Sequence, residues 1–390
     1  MQSFGAKNTA SGRWIGGRFC LESRLATAIG AGQSMTSDNA NLSDILRARQ
    51  VRRFMASIVA KSAVLRYPSG MLDRADSPGI QAVAPPAATP LPAWARPANP
   101  PETEAEAAFL AGAALARLDV LVRANPPWFG VWRQRLALGA AVASVARAGR
   151  GEDAAVLRDA VHLTRPGADP GPAGRRLLAW RALTSGSVGQ WRSAIARAAE
   201  ALDVRRDEAL QSAIEAAANC ADGNRLAPFA AARCHQFAQR ALAPAGGAGD
   251  LLAAGLADTV LALKLKWPFA LPLLGTGQRG DGPRSMRKGH AGEGEAAEIL
   301  FGYTCAAAQA ADLAADLARR AQKLAEAAPK LRAKGAGAAL QALFDEDSLS
   351  ATTRISGLSE RGARRLFERL VALDAVRELT GRATFRLYGL

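Results

Sequence analysis

From Glu102 to Lys330 the chain runs in Ala- and Leu-rich stretches, each cut off by Pro or Gly. That punctuation constrains the fold more than any other feature. Ala loses no side-chain entropy in a helix, whereas strands draw on β-branched and aromatic residues. Phe, Trp and Tyr together make up only 6% of the chain, so a large sheet is a poor fit. Reading between the breakers predicts helices over Glu102–Ala124, Trp128–Ala148, Glu152–Leu163, Pro172–Thr184, Gly189–Asp203, Asp207–Ala221, Leu226–Ala241 and Asp250–Lys266. Each carries an Ala/Leu/Val stripe at helical spacing and Arg or Glu on the opposite side. Glu293–Lys330 reads as one long helix or two, with Pro329 breaking the pattern, and Ala338–Phe344 follows. The expected fold class is mainly α, an Ala-rich bundle or helical stack, with no repeat of fixed period.

The flanks have other compositions. Residues 1–82 are rich in Ser, Asn, Gly and Arg, with ten Lys or Arg against three acids up to Gly70. Leu46–Leu65 has the pattern of a basic amphipathic helix, which would suit a nucleic acid or a membrane surface. The stretch reads better as a disordered extension or an over-long translation start. Residues 83–101 hold seven prolines and read as an extended linker. The helical body is expected over 102–330, with a basic Gly-rich loop at 275–292.

Chemistry-bearing patterns are scarce. Gly275-Thr276-Gly277-Gln278-Arg279-Gly280 spells GxGxxG, but prolines stand where a dinucleotide site needs a preceding strand. A flexible loop whose arginines touch phosphate is the better reading. Asp159 and His162 resemble half of a di-iron motif, but no second such pair exists, so His162 reads as a capped or surface histidine. Cys20, Cys220, Cys234 and Cys305 lack metal-ligand spacing and read as buried apolar residues of a cytoplasmic protein. Trp94, Trp128, Trp132, Trp180, Trp191 and Trp267 read as core fillers between thin helices. No catalytic, metal or cofactor constellation emerges, and three His leave little for acid–base work near neutrality. Enzymes are therefore disfavoured. No apolar run is long enough to cross a bilayer.

The net charge is +15, with 42 Arg among the 50 basic residues, which suits an acidic partner such as DNA. The C-terminal forty residues say where such a partner would bind. Ser359 is a good N-cap, and Ala363, Leu366, Phe367, Leu370 and Leu373 then fall on one helix face. Arg361, Arg364 and Arg365 fall on the other. A Gly-containing turn, Ser356–Ser359, precedes this helix, and Ser350–Ile355 is expected to form one and a half helical turns before it. Two β-prone runs around Gly381-Arg382 follow and read as a hairpin. The expectation for residues 331–390 is a winged helix with a small β-hairpin.

Two resemblances bear on this. LPAWARP, AAFLAGAALARLDVL, LKWPFALPLL and ARRLFERLVALDAVRELTGRATFRLYGL, among other stretches, resemble an uncharacterised bacterial family, domain-of-unknown-function family 1403, over about residues 91–390. Residues 349–390 are similar to bacterial winged helix-turn-helix domains, with Gly357 in the turn and Gly381-Arg382 at the wing tip. That similarity implies contact with double-stranded DNA through Arg361, Arg364, Arg365 and Arg369 of the helix and through Arg382 and Arg386 of the wing. Asp345-Glu346-Asp347 stands nearby and would repel phosphate. A second expectation is that the unit docks a protein partner, and a third is that the helical body holds a pocket that serves a small-ligand sensor or an unrecognised enzyme.

Overall fold

The computed structural model describes residues 91–97, 99–165, 167–276, 293–331, 333–380 and 385–390. The basic extension, residues 83–90 of the linker and nearly all of the Gly-rich loop, with most of its GxGxxG pattern and its arginines, lie outside them. Arg382 does too. The described residues hold twelve α-helices. They are α1 (Glu104–Ala124), α2 (Phe129–Arg147), α3 (Ala154–His162), α4 (Gly171–Thr184), α5 (Trp191–Ala201) and α6 (Glu208–Asp222). Then come α7 (Ala227–Ala241), α8 (Gly246–Leu265), the single turn α9 (Leu273–Thr276), α10 (Glu293–Ala327), α11 (Ala336–Asp345) and α12 (Glu360–Ala372).

Local chemistry explains where they start. Thr103 opens α1 with a capping box: its hydroxyl accepts from Glu106 N at 3.2 Å, while the Glu106 carboxylate accepts from Thr103 N at 3.3 Å. Asp153, Asp207 and Ser359 cap α3, α6 and α12 in the same manner, each accepting from a backbone N–H three residues on. Pro172 sits in the first turn of α4, where its missing donor costs nothing. The long helix α10 runs unbroken to Ala327, and Pro329 then tightens the chain into a 3-10 turn over Ala328–Lys330.

Two apolar clusters form the interior. The first joins α1, the start of α2, α10, α11, α12 and the C-terminal strands. The second joins the rest of α2 with α3 to α8. Three helices, α2, α7 and α8, serve both. Trp128, Phe129 and Trp132 of α2 face the first cluster, and Leu138, Ala141 and Val145 the second. Helix α8 is apolar nearly all round and is buried continuously from Leu251 to Ala262, as a central helix must be. None of the described helices is long and apolar enough to cross a membrane.

The C-terminal strands are short. β1 (Leu349–Ser350), β2 (Arg377–Glu378) and β3 (Leu387–Gly389) form an antiparallel sheet in the order β1-β3-β2. Tyr388 pairs with Leu349 on one side and Glu378 on the other. β2 and β3 fall on the two runs expected to form a hairpin. The turns of helix expected at Ser350–Ile355 are absent: β1 ends at Ser350, and turns lead to Ser359. The Ser350 hydroxyl accepts from Thr352 N at 3.1 Å, and Ser350 N donates to the Thr353 hydroxyl at 3.2 Å. Such side-chain bonds compete with helix formation, and two adjacent threonines offer little propensity against them.

Of the tryptophans expected in the core, Trp128, Trp132, Trp180 and Trp267 are buried and Trp191 is half-buried. Trp94 corrects the expectation. It is 61% exposed and rests against the equally exposed Phe109, ring centroids 5.8 Å apart.

Candidate functional site

Helix α12 is the most sharply two-sided helix of the C-terminal region. Ala363, Leu366, Phe367 and Leu370 are buried. Phe367 stacks on Tyr388 of β3 with ring centroids 4.8 Å apart and planes 7° from parallel, which fixes the helix to the sheet. The opposite face is entirely solvent-facing: Arg361, Arg364, Arg365 and Arg369 are all exposed. Arg364 lies 3.6 Å from Glu360, one turn earlier. Arg361, Arg365 and Arg369 make no ion pair among the described residues. Arg386 is exposed beside β3 and 3.7 Å from Glu378.

The turn before α12 is set by close backbone approach. Gly357 has φ +78°, a left-handed conformation that suits glycine, and its Cβ position would lie 3.2 Å from the Cα of Gly335. A Cβ on Gly335 would in turn lie 2.6 Å from Leu358 and 2.7 Å from the Ser356 carbonyl. Two glycines thus let the turn seat directly on the start of α11.

The segment between α11 and β1 is tied to the helical body by buried charge. Asp347 is fully buried. Its Oδ2 accepts from Arg158 Nε at 2.6 Å, and its Oδ1 accepts from Arg158 Nη2 at 3.1 Å and pairs with Arg135. Arg135 also donates to the backbone carbonyls of Asp347, at 3.3 Å, and Leu390, at 2.9 Å. Burial alone would raise the Asp347 carboxyl. The Arg158 hydrogen bonds, and then the charges of Arg135, Arg158 and Arg181, overcome it and hold the group below its ordinary value. Next to it, His162 Nε2 and the Ser348 hydroxyl are 3.0 Å apart. His162 is thus half-buried, with its ring engaged by Ser348. Burial lowers its pKa, helped by the Arg181 and Arg158 charges and opposed by Asp347 and Asp159.

This arrangement corrects one expectation. Asp347 of the acidic run does not face outward to repel a phosphate. It is turned into the body and neutralised there, while Asp345 and Glu346 stay exposed. Nothing in the local sequence around Asp347 points to this, because its partners lie on α2 and α3.

A second interior polar node holds α9. Asp258 on α8 is buried and accepts from Leu274 N with both oxygens, at 3.1 and 3.2 Å. The buried Tyr303 phenol of α10 adjoins it. Burial pushes the Asp258 carboxyl well above the usual range, against the backbone N–H groups and Tyr303 that favour its charge.

A surface depression of about 450 Å³ lies between α3 and α4, lined by Val156, Asp159, Leu163, Asp169 and their neighbours. Asp169 is engaged by Arg175 at 2.7 Å. No nucleophile, base and orienting group converge there. Among the described residues no three His, Cys, Asp or Glu side chains are placed to hold a metal ion.

A family model described as a protein of unknown function, DUF1403, matches residues 84–390. No curated protein matches the chain.

Proposed function

The chain belongs to the DUF1403 family, and we propose that it binds double-stranded DNA through a winged-helix-like unit made of α11, β1, α12 and the β2–β3 hairpin. The observation that carries this reading is the α12 face. Four arginines stand in solvent on a helix whose other side is sealed into the core. Arginine is always charged and presents a planar fork of donors that matches a phosphate or a guanine edge. Arg361, Arg364, Arg365 and Arg369 would enter the major groove. Arg386, with Arg382 of the wing, would hold the backbone.

The sheet order β1-β3-β2 with α12 against it supports the winged-helix reading. The unit departs from a helix-turn-helix in having turns where the helix before the reading helix would lie. Here α12 is held instead by the Gly335–Gly357 contact and by the Asp347 anchor. Acidic residues on residues 351–390 number four against eight arginines, 8 − 4 = +4, so the region is net basic. The free thiols Cys220, Cys234 and Cys305 suit a cytoplasmic setting.

The test is a gel shift with the full-length chain and generic duplex DNA at low salt. Arg361→Ala with Arg365→Ala should weaken binding by roughly 2–6 kcal/mol if both arginines read bases. Unchanged affinity sinks the reading. The interleaving of Glu360 and Glu368 with the arginines favours a second use of the face, docking a protein of mixed charge. Absence of duplex binding at low salt, with salt-insensitive capture of a protein partner, would select it.

A further inference from the structure

The solvent side of α1 carries an apolar face. Ala105, Phe109, Gly112, Ala116 and Val120 recur every three or four residues, and all five are exposed. Phe109 is 65% and Val120 49% exposed. Trp94 adds its indole beside Phe109. Its exposure is not slack in the chain. The 3-10 turn Ala93–Ala95 that presents it is anchored by buried Leu91 and Ala95. Arg96, just after the turn, grips Asp312 of α10 with two hydrogen bonds, at 2.6 and 2.8 Å. Large rings held out in water in a fixed position are the anchors of an interface, because little freedom is lost when they are covered.

We propose that a second copy of this chain covers this face, by antiparallel packing of α1 on α1 in a symmetric dimer. The face is complementary to itself. A two-fold axis between Gly112 and Ala113 sets Phe109 against Ala116 of the second copy and Ala105 against Val120, so each large side chain meets a small one. Gly112 lies at the centre, where its Cβ position has nothing within 4 Å, and lets the two backbones approach.

The charges select the same direction. Glu102, Glu104 and Glu106 mark the N-terminal end of α1, and Arg117 and Arg123 the C-terminal end. Asp119 at that end is engaged within its own chain, by Arg123 at 2.6 Å and Trp267 at 2.7 Å. At about 100° per residue, Glu106 and Arg117 flank the stripe on one side, so the axis brings Glu106 of one copy to Arg117 of the other. Antiparallel pairing thus joins an acidic end to a basic one and opposes the helix dipoles. Parallel pairing would set like charges together. A contact of one helix face is small, which places the dimer in the weak, reversible class. The proposal stands whether or not α12 binds DNA.

The experiment is sedimentation velocity on the full-length chain, from roughly 1 μM to a few hundred μM, the range of weak association. The wild-type mass should rise with concentration from one chain towards two. Trp94→Ala with Phe109→Ala should weaken self-association at least about thirtyfold, the effect of losing one aromatic anchor. Ala116→Glu, which sets a charge against Phe109, should act likewise. These side chains are exposed, so the core is untouched. Gly112→Cys, next to the axis, should link two chains through residue 112 on mild oxidation, as read by peptide mapping. Val120→Cys should not link to itself, because its two copies lie about 22 Å apart in the antiparallel pair. A wild type that stays monomeric throughout means that another molecule covers the face, and overturns the proposal. Self-association unchanged by both sets of substitutions, or self-linking of Val120→Cys, would overturn it as well.

Discussion

Asp347 and Arg158 stand 189 residues apart in sequence and meet in the interior at 2.6 Å, carboxylate oxygen to guanidinium Nε. With Arg135 on the other oxygen, the pair pins the start of β1 to α2 and α3. Removing the carboxylate strands two guanidinium groups in low dielectric, which costs far more than the net worth of an intact pair. Asp347→Ala should therefore destabilise the chain by about 3–5 kcal/mol in urea unfolding. Replacing Asp347, Arg135 and Arg158 together by Leu, Met and Met should recover most of that loss. A single-variant loss under about 1 kcal/mol would mean the node is solvated.

Asp258 should behave as a neutral acid. Its folded pKa lies above the unfolded value, so its contribution is full below the unfolded value and is lost as pH rises through the folded one. Asp258→Asn keeps the shape without the charge and should be tolerated, with stability that falls less than the wild type's at alkaline pH. Asp258→Ala leaves Leu274 N without its acceptor and should cost about 1–3 kcal/mol. Thermal melts from the unfolded carboxyl value of about 3.9 upward separate the two.

His162 gives the opposite slope. Its folded pKa is depressed, so the folded state binds fewer protons than the unfolded one near pH 6. Its contribution is present above the unfolded value of about 6.5 and is lost as pH falls below it. Arg158, Arg181, Asp159 and Asp347 all face the ring. His162→Gln should flatten stability between pH 7.5 and 5.5 relative to the wild type. A parallel pH dependence in both would show that His162 is not responsible.

Two glycines inside helices should respond oppositely to alanine. A Cβ on Gly275 would lie 2.5 Å from the Trp180 ring and 2.8 Å from Ala140. Gly275→Ala should cost roughly 1–3 kcal/mol by overpacking. Gly112 on α1 has nothing within 4 Å of that position, and Gly112→Ala should stabilise by about 0.5–1 kcal/mol. Chemical denaturation of both variants checks the pair.

The α12 face should reveal itself in salt dependence. If Arg361, Arg364, Arg365 and Arg369 meet phosphates, changing all four to Gln should shallow the slope of log affinity against log salt by up to about 0.9 for each phosphate no longer neutralised. If they read bases instead, sequence preference should weaken with less change in slope.

Most of the helices are legible in the residues. Ala-rich periodic stretches between Pro and Gly locate eleven of the twelve, because caps and breakers act over three or four residues. The exception is α9, a single turn that exists because Asp258 reaches it from α8. The amphipathic face of α12 and the hairpin runs behind it are equally readable, since both rest on period and turn chemistry. Ser350–Ile355 departs from expectation because its hydroxyls and the partner strand β3 outweigh a short helical pattern. Trp94 departs from it because a large apolar residue is expected to be inside, and nothing in its neighbourhood of sequence says that α1 leaves it at the surface.

The sequence by itself determined the helical class, most helix positions and the sidedness of α12, all of which follow from local periodicity. Only the tertiary structure decided which charges are buried. It turned Asp347 inward onto Arg135 and Arg158, left the α12 arginines in solvent, and brought Asp258 of α8 to the Leu274 N–H of α9. Partners that lie on different helices leave no periodic trace in one chain, and their energies arise only when packing removes the water between them.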